Sequence, residues 1–141
     1  MEVNIERLSG KFHLKASNEE NLFVETDGSE AIGGTNKGVR PMQMILMALG
    51  TCSAIDVIMI LEKQKQDLQD IKIKINGTRA VDQIPSVFTH IDIHFRLFGP
   101  IDEKKASRAV ELSLEKYCSV AQMLKKSATI NYSFEVLEAE Q

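Results

Sequence analysis

The chain has 141 residues, one domain's worth, with 43% hydrophobic and 26% charged residues, the balance of a soluble globular protein. Its net charge of -3 offers no electrostatic basis for binding nucleic acid or an anionic membrane surface. The opening MEVNIERLSG has no basic segment followed by an apolar core, so it does not read as a secretory signal. The expected location is the cytoplasm, where two cysteines are more often reactive or buried than a structural staple.

Residues 3–15 alternate imperfectly, with Val3 and Ile5 before Ser9-Gly10 and Phe12 and Leu14 after it, which predicts two short strands and a turn. Residues 17–21 are polar and turn-like, and 22–26 (LFVET) form a third short strand that stops at Asp27-Gly28. Residues 31–40, AIGGTNKGVR, carry three glycines without alternation and read as a flexible connection. The phosphate-loop spacing G-x-x-x-x-G-K-[ST] is absent from them. Their backbone leads into a helix N-terminus, where free N–H groups collect.

Residues 40–66, RPMQMILMALGTCSAIDVIMILEKQKQ, are the longest apolar run. Pro41 suits the first turn of a helix, since its missing N–H costs nothing there. Met44, Leu46, Leu49, Ile55, Val57, Ile58 and their neighbours point in every direction around that helix. A helix apolar on all sides belongs inside something. A run of about 20 apolar residues could cross a membrane. Here Gln43, Gly50, Thr51, Ser53 and Asp56 interrupt it, and no Lys/Arg asymmetry orients it, so the expectation is a helix buried by protein. A domain this small has little chain with which to wrap such a helix. A homodimer with the helix at or near the two-fold axis is therefore expected.

Downstream, Ile71, Ile73 and Ile75 alternate with Lys72, Lys74 and Asn76 in a half-buried strand that Asn76-Gly77 ends or bulges. Residues 80–86 connect it, through Pro85, to the best strand in the chain, 87–98. There Ile91, Ile93, Phe95 and Leu97 face one way and His90, Asp92, His94 and Arg96 the other. After Gly99-Pro100, Asp102 can cap a helix with Glu103 in its first turn. Ala106, Ala109, Val110, Leu112, Ser113 and Tyr117 give that helix its apolar stripe. Ser119 is the expected N-cap of a short helix through Met123 and Leu124. Residues 128–137 form a closing strand, and 138–141 a polar tail. Strands cluster and helices intervene singly, so the fold class is α+β in a single domain, 1–141.

Few side chains carry chemistry. His90, Asp92 and His94 are spaced about 6–7 Å apart on one strand face, which suits a metal or, equally, an ordinary solvent face. Asp56 lies one turn beyond Cys52 on the same helix face. A carboxylate there raises a thiol pKa, so Asp56 reads as structural. Cys118 lies just ahead of the helix expected at Ser119, where the helix dipole favours a thiolate. Cys52 has no activating neighbour in sequence. Arg40 is the nearest upstream base, about 18 Å away along a straight helix. On the residues alone, two buried inert cysteines remain an open reading beside a reactive pair.

The segment RPMQMILMALGTCSAIDV resembles the central-helix motif of the OsmC-like family: a Pro, a run of Leu and Met, then A-L-G-x-C-[ST]. LEKYCSV resembles the family's second motif, a Cys after an amphipathic helix, with Ser119 where Pro is usual. The order of elements agrees as well, so the resemblance covers essentially the whole chain. It implies an intertwined homodimer in which antiparallel-rich sheets wrap long buried central helices. It also implies a cysteine-based peroxidase that reduces organic hydroperoxides, as the better-studied branches do. Carried onto this chain, Cys52 is the peroxidatic thiolate that becomes a sulfenic acid. Cys118 resolves it as a disulfide, and a dithiol such as a lipoylated protein or thioredoxin reduces that disulfide. No metal or organic cofactor is needed. The peroxidase branches place Glu directly after the Pro of the central helix, where this chain has Met42. They also use an Arg from an N-terminal loop, where this chain has only Arg7, in an expected strand, before Arg40. Arg40 is carried as the thiolate partner. These departures resemble the less characterised OsmC-like branch. They leave a rival open: a carrier on the same fold that holds a hydrophobic small molecule, with both cysteines in its wall.

Overall fold

The computed structural model describes residues 1–138, so positions 139–141 of the expected polar tail lie outside the described residues. The chain divides into two compact units, Met1–Ile45 and Leu46 onward.

The first unit is a three-stranded antiparallel sheet ordered β1 (Val3–Ser9), β2 (His13–Asn18), β3 (Phe23–Thr26). Arg7 opposes Leu14, and the register shifts between Arg7 and Ser9 at the expected turn. Gly10 takes φ 58°, a left-handed value that glycine adopts without steric cost.

The glycine-rich stretch is more ordered than its composition suggests. It opens with a 3-10 turn, Glu30–Ile32, and is then pinned by two side chains. The Asp27 carboxylate accepts from the amides of Gly28, Thr35 and Lys37 and from Thr35 Oγ1 at 2.6 Å. The Thr35 hydroxyl, with these amides, outweighs burial and holds the carboxyl down at about 2. Arg40 Nη1 donates to Asp27 O at 3.1 Å and to Gly38 O at 3.0 Å, and Nη2 donates to Asn36 Oδ1. Gly34 passes so close to Gly28 that a Cβ on it would lie 2.0 Å from the Gly28 carbonyl oxygen. The expected flexible connection is thus a loop folded around Asp27, and its glycines serve close backbone approach.

Helix α1 (Pro41–Lys63) follows the apolar run as expected. Within the chain it buries Leu49, Ser53, Val57 and Leu61, one residue in four along a single stripe, together with Gly50. Ile55 remains 59% exposed, Met59 49% and Met47 48%. The expected all-round burial is therefore not supplied by one chain, which covers one face of a helix that is apolar on every face.

The second unit carries a sheet ordered β4 (Asp70–Arg79), β5 (Phe88–Phe98), β6 (Thr129–Leu137). β4 and β5 pair antiparallel, and β5 and β6 pair parallel from His90–Thr129 to Phe98–Leu137. A parallel pair needs a long crossover, and the helical segment between β5 and β6 supplies it. The irregularity in β4 falls at Thr78/Arg79, just past the expected Asn76-Gly77. Ile91, Ile93, Phe95 and Leu97 are all at most 1% exposed and form the core face of β5. On the other face His94 bonds Ser133 and Glu135, Asp92 bonds Asn131 and His90 bonds Thr89. That face is a hydrogen-bonded surface in which these bonds join each residue to neighbouring side chains.

Helix α2 (Glu103–Leu112) starts as expected, with Asp102 Oδ1 accepting from the Lys105 amide at 3.0 Å. It buries Ala106, Ala109 and Val110. It then widens into a π turn, Ser113–Tyr117, before Cys118 and the short helix α3 (Ser119–Leu124). Gln122 Nε2 donates to the carbonyls of Leu114 and Glu115 inside that turn.

Candidate active site: two cysteines and a carboxylate

The i, i+4 spacing of α1 puts Cys52 and Asp56 on one face, one turn apart. The π turn brings up the third member. Its wide bond runs from the Cys118 amide to Ser113 O, five residues back, at 2.7 Å. Such single π turns recur at functional sites. Here the turn places Ser113 and Cys118 together against α1. The sulfurs of Cys52 and Cys118 and a carboxylate oxygen of Asp56 all lie within 4.8 Å of one another. Cys118 is fully buried, while Cys52 and Asp56 are half-buried.

Ser113 Oγ lies 3.2 Å from Asp56 Oδ2 and 3.3 Å from Ser53 O, tying the π turn to α1. Ser53 Oγ lies 3.7 Å from Cys118 Sγ and donates to Leu49 O within its own helix. Cys118 itself is the N-cap of α3: its backbone is extended, and its sulfur accepts from the Ala121 amide at 3.4 Å. The expected cap was Ser119, one residue later. Cys118 takes the position because its sulfur reaches the orphan amide from inside the protein.

The expected electrostatic consequence also changes. Burial pushes the Cys118 thiol up, the Ala121 amide opposes that shift, and nearby Cys52 adds to the rise. Desolvation outweighs the helix terminus, so Cys118 is held as the neutral thiol. Of the sequence-derived candidates, Cys52 and Cys118 are brought together. Arg40 belongs to the first unit, where its guanidinium bonds Asp27, Gly38 and Asn36 as described. Asp56, read from the sequence as structural, stands beside both sulfurs. Ser113 carried no sequence signal as a site residue, because only the tertiary fold brings it to Asp56 and Ser53. The arrangement provides a half-exposed thiol, a buried thiol within reach of it, and an acid–base group beside the pair.

A family model described as OsmC-like protein matches residues 34–133. Protein YhfA of Escherichia coli (strain K12) is 48% identical over 105 residues, which is 74% of this chain and 78% of that one. Among solved structures, a hypothetical protein from Aquifex aeolicus VF5 superposes with a TM-score of 0.84 at 35% identity, covering 99% of this chain and 97% of its own. The organic hydroperoxide resistance protein OsmC of Legionella pneumophila shares the fold, with a TM-score of 0.70 at 13% identity over 99% of this chain and 98% of its own. The fold is α+β with antiparallel-rich sheets, as in these relatives. Matched over most of its length by the family model and by a close relative, the chain belongs to the OsmC-like family.

Proposed function

We propose that this protein is a thiol-dependent reductase of organic hydroperoxides, with Cys52 as the attacking thiolate and Cys118 as the resolving thiol. The observation that carries this reading is the meeting of the two sulfurs within 4.8 Å, from elements 66 residues apart in sequence, across the fold of the second unit. The carrier alternative predicts a closed apolar pocket with the thiols far apart or uncharged; the neutral Cys118 fits either reading, and the approach of the two sulfurs to each other and to Asp56 favours the reductase.

Chemically, the Cys52 thiolate attacks the outer peroxide oxygen and breaks the O–O bond. The alkoxide takes a proton and leaves as an alcohol, and Cys52 becomes a sulfenic acid. The Cys118 thiol then condenses with it, giving a disulfide and water. A dithiol reduces the disulfide and is itself oxidised to a disulfide. The neutral Cys118 suits a thiol that must wait for the sulfenic acid. Arg40 is the proposed partner of the Cys52 thiolate. We place the protein in the cytoplasm, where dithiol reductants are available. We also propose a homodimer in which a second copy covers the exposed apolar face of α1.

The test is turnover of cumene hydroperoxide with dihydrolipoamide or dithiothreitol. Wild type should turn over, Cys52→Ser should not, and Cys118→Ser should accumulate a trappable sulfenic acid. No turnover, with both thiols still free after peroxide treatment, overturns the proposal.

A further inference from the structure

We infer that the reduced site binds a thiophilic divalent cation of the zinc class, with Cys52 Sγ, Cys118 Sγ and an Asp56 carboxylate oxygen as its protein ligands. Two thiolates and a carboxylate are a donor set that zinc accepts, at about 2.3 Å to sulfur and about 2.0–2.2 Å to oxygen. Around a tetrahedral ion those bonds put the donor atoms about 3.5–3.8 Å apart. The three atoms already lie within 4.8 Å of one another, so closure around an ion needs shifts of about 1 Å or less.

The surroundings are built as a metal site requires. Ligating carboxylates and thiolates are oriented by hydrogen bonds from outside the ligand set. Ser113 Oγ holds Asp56 at 3.2 Å, and the Ala121 amide holds Cys118 Sγ at 3.4 Å. Among the described residues Asp56 forms no ion pair, and Ser113 is its hydrogen-bond partner. A cation between the three groups would supply the missing positive charge. Buried Cys118 forms the back of the site, and half-buried Cys52 and Asp56 form its open side. Three protein ligands leave the fourth position to water. Binding involves no redox change: the ion takes the place of the thiol protons, which go to solvent. A bound ion would occupy the sulfur lone pairs that attack peroxide, so loading would silence the reductase. That consequence rests on the function proposed above, whereas binding does not.

The experiment titrates reduced, metal-free, full-length protein with Co²⁺ alone, then displaces it with Zn²⁺. Expected are a thiolate-to-cobalt charge-transfer band, saturation at one ion per chain, and release of protons on binding. Asp56→Asn should keep the band but weaken binding by about tenfold or more, and Cys118→Ala should remove roughly half the sulfur band, with circular dichroism confirming that each variant is folded. Absence of the band in wild type overturns the proposal, as does unchanged affinity in folded Asp56→Asn. Peroxide turnover is assayed separately on metal-free protein. Binding without turnover would leave the metal site standing and remove the reductase, and turnover without binding would do the reverse.

Discussion

Ser113 Oγ sits between Asp56 Oδ2 at 3.2 Å and Ser53 O at 3.3 Å, so one hydroxyl proton serves two acceptors on α1. It is the hydrogen-bonded tie between the π turn and the helix that bears Cys52. A typical net hydrogen bond contributes about 1 kcal/mol. Ser113→Ala should therefore lower the urea midpoint by an amount equivalent to about 1 kcal/mol with an unchanged m-value. In the same variant the Cys52–Cys118 disulfide should form more slowly after peroxide, because Asp56 and the π turn lose the hydroxyl that ties them together. Equal disulfide rates in wild type and variant would remove the positioning role.

The two thiols should differ sharply in reactivity. Cys118 is fully buried and its thiol is pushed up, while Cys52 is half-buried. Iodoacetamide at neutral pH should alkylate Cys52 first and Cys118 only after denaturation. Peptide mass mapping reads the order, and prior labelling of Cys118 in the native protein would contradict the burial seen here.

Acid stability should depend on Asp27. Its folded-state value of about 2 lies below the ordinary 3.8, so the carboxylate contributes stability at pH above about 4. That contribution is lost as the pH falls through about 2, when the carboxyl gains a proton and the bonds from Thr35, Lys37 and Gly28 weaken. Asp27→Asn should be less stable than wild type at neutral pH and show a flatter stability profile between about pH 4 and 2. Parallel profiles for the two proteins would mean that the loop does not rest on this charge.

The two faces of α1 should respond differently to truncation. Leu49 is completely buried, and Leu49→Ala should cost about 2–5 kcal/mol through lost contacts and a cavity. Ile55 is 59% exposed in the single chain. Ile55→Glu should leave the folded chain intact and shift the sedimentation coefficient from dimer to monomer. An unchanged sedimentation coefficient would show that a second copy does not cover this face.

Much of the frame was legible because its signals are local. Pro41 announces the start of α1, the strict alternation from Ile91 to Leu97 announces the core strand, and Asp102 caps α2 where a capping residue was expected. The cysteines were legible through the two motif segments that resemble the family. What escaped was tertiary. Ser113 is an ordinary helix serine until the fold sets it against Asp56 and Ser53. In sequence Asp56 has only Cys52 as its helical neighbour, and the approach of Cys118 to it is tertiary. The Ser119 cap failed by one residue because the extra width of the π turn has no composition signal. Asp27 read as half of a turn dipeptide, and its hold on Thr35 and Lys37 depends on backbone that folds back on it.

The π turn has a genetic corollary. A π turn is an α-helix with one residue inserted, and each residue rotates an α-helix by about 100°. Deleting a single codon within Ser113–Tyr117 would relax the turn to ordinary α-helix and swing Cys118 around the axis, away from Cys52 and Asp56. Both cysteines and Asp56 would still be encoded, and the pair would be disconnected by phase. A one-residue length difference at this point is therefore a marker, readable in any related gene, of whether its two cysteines can meet.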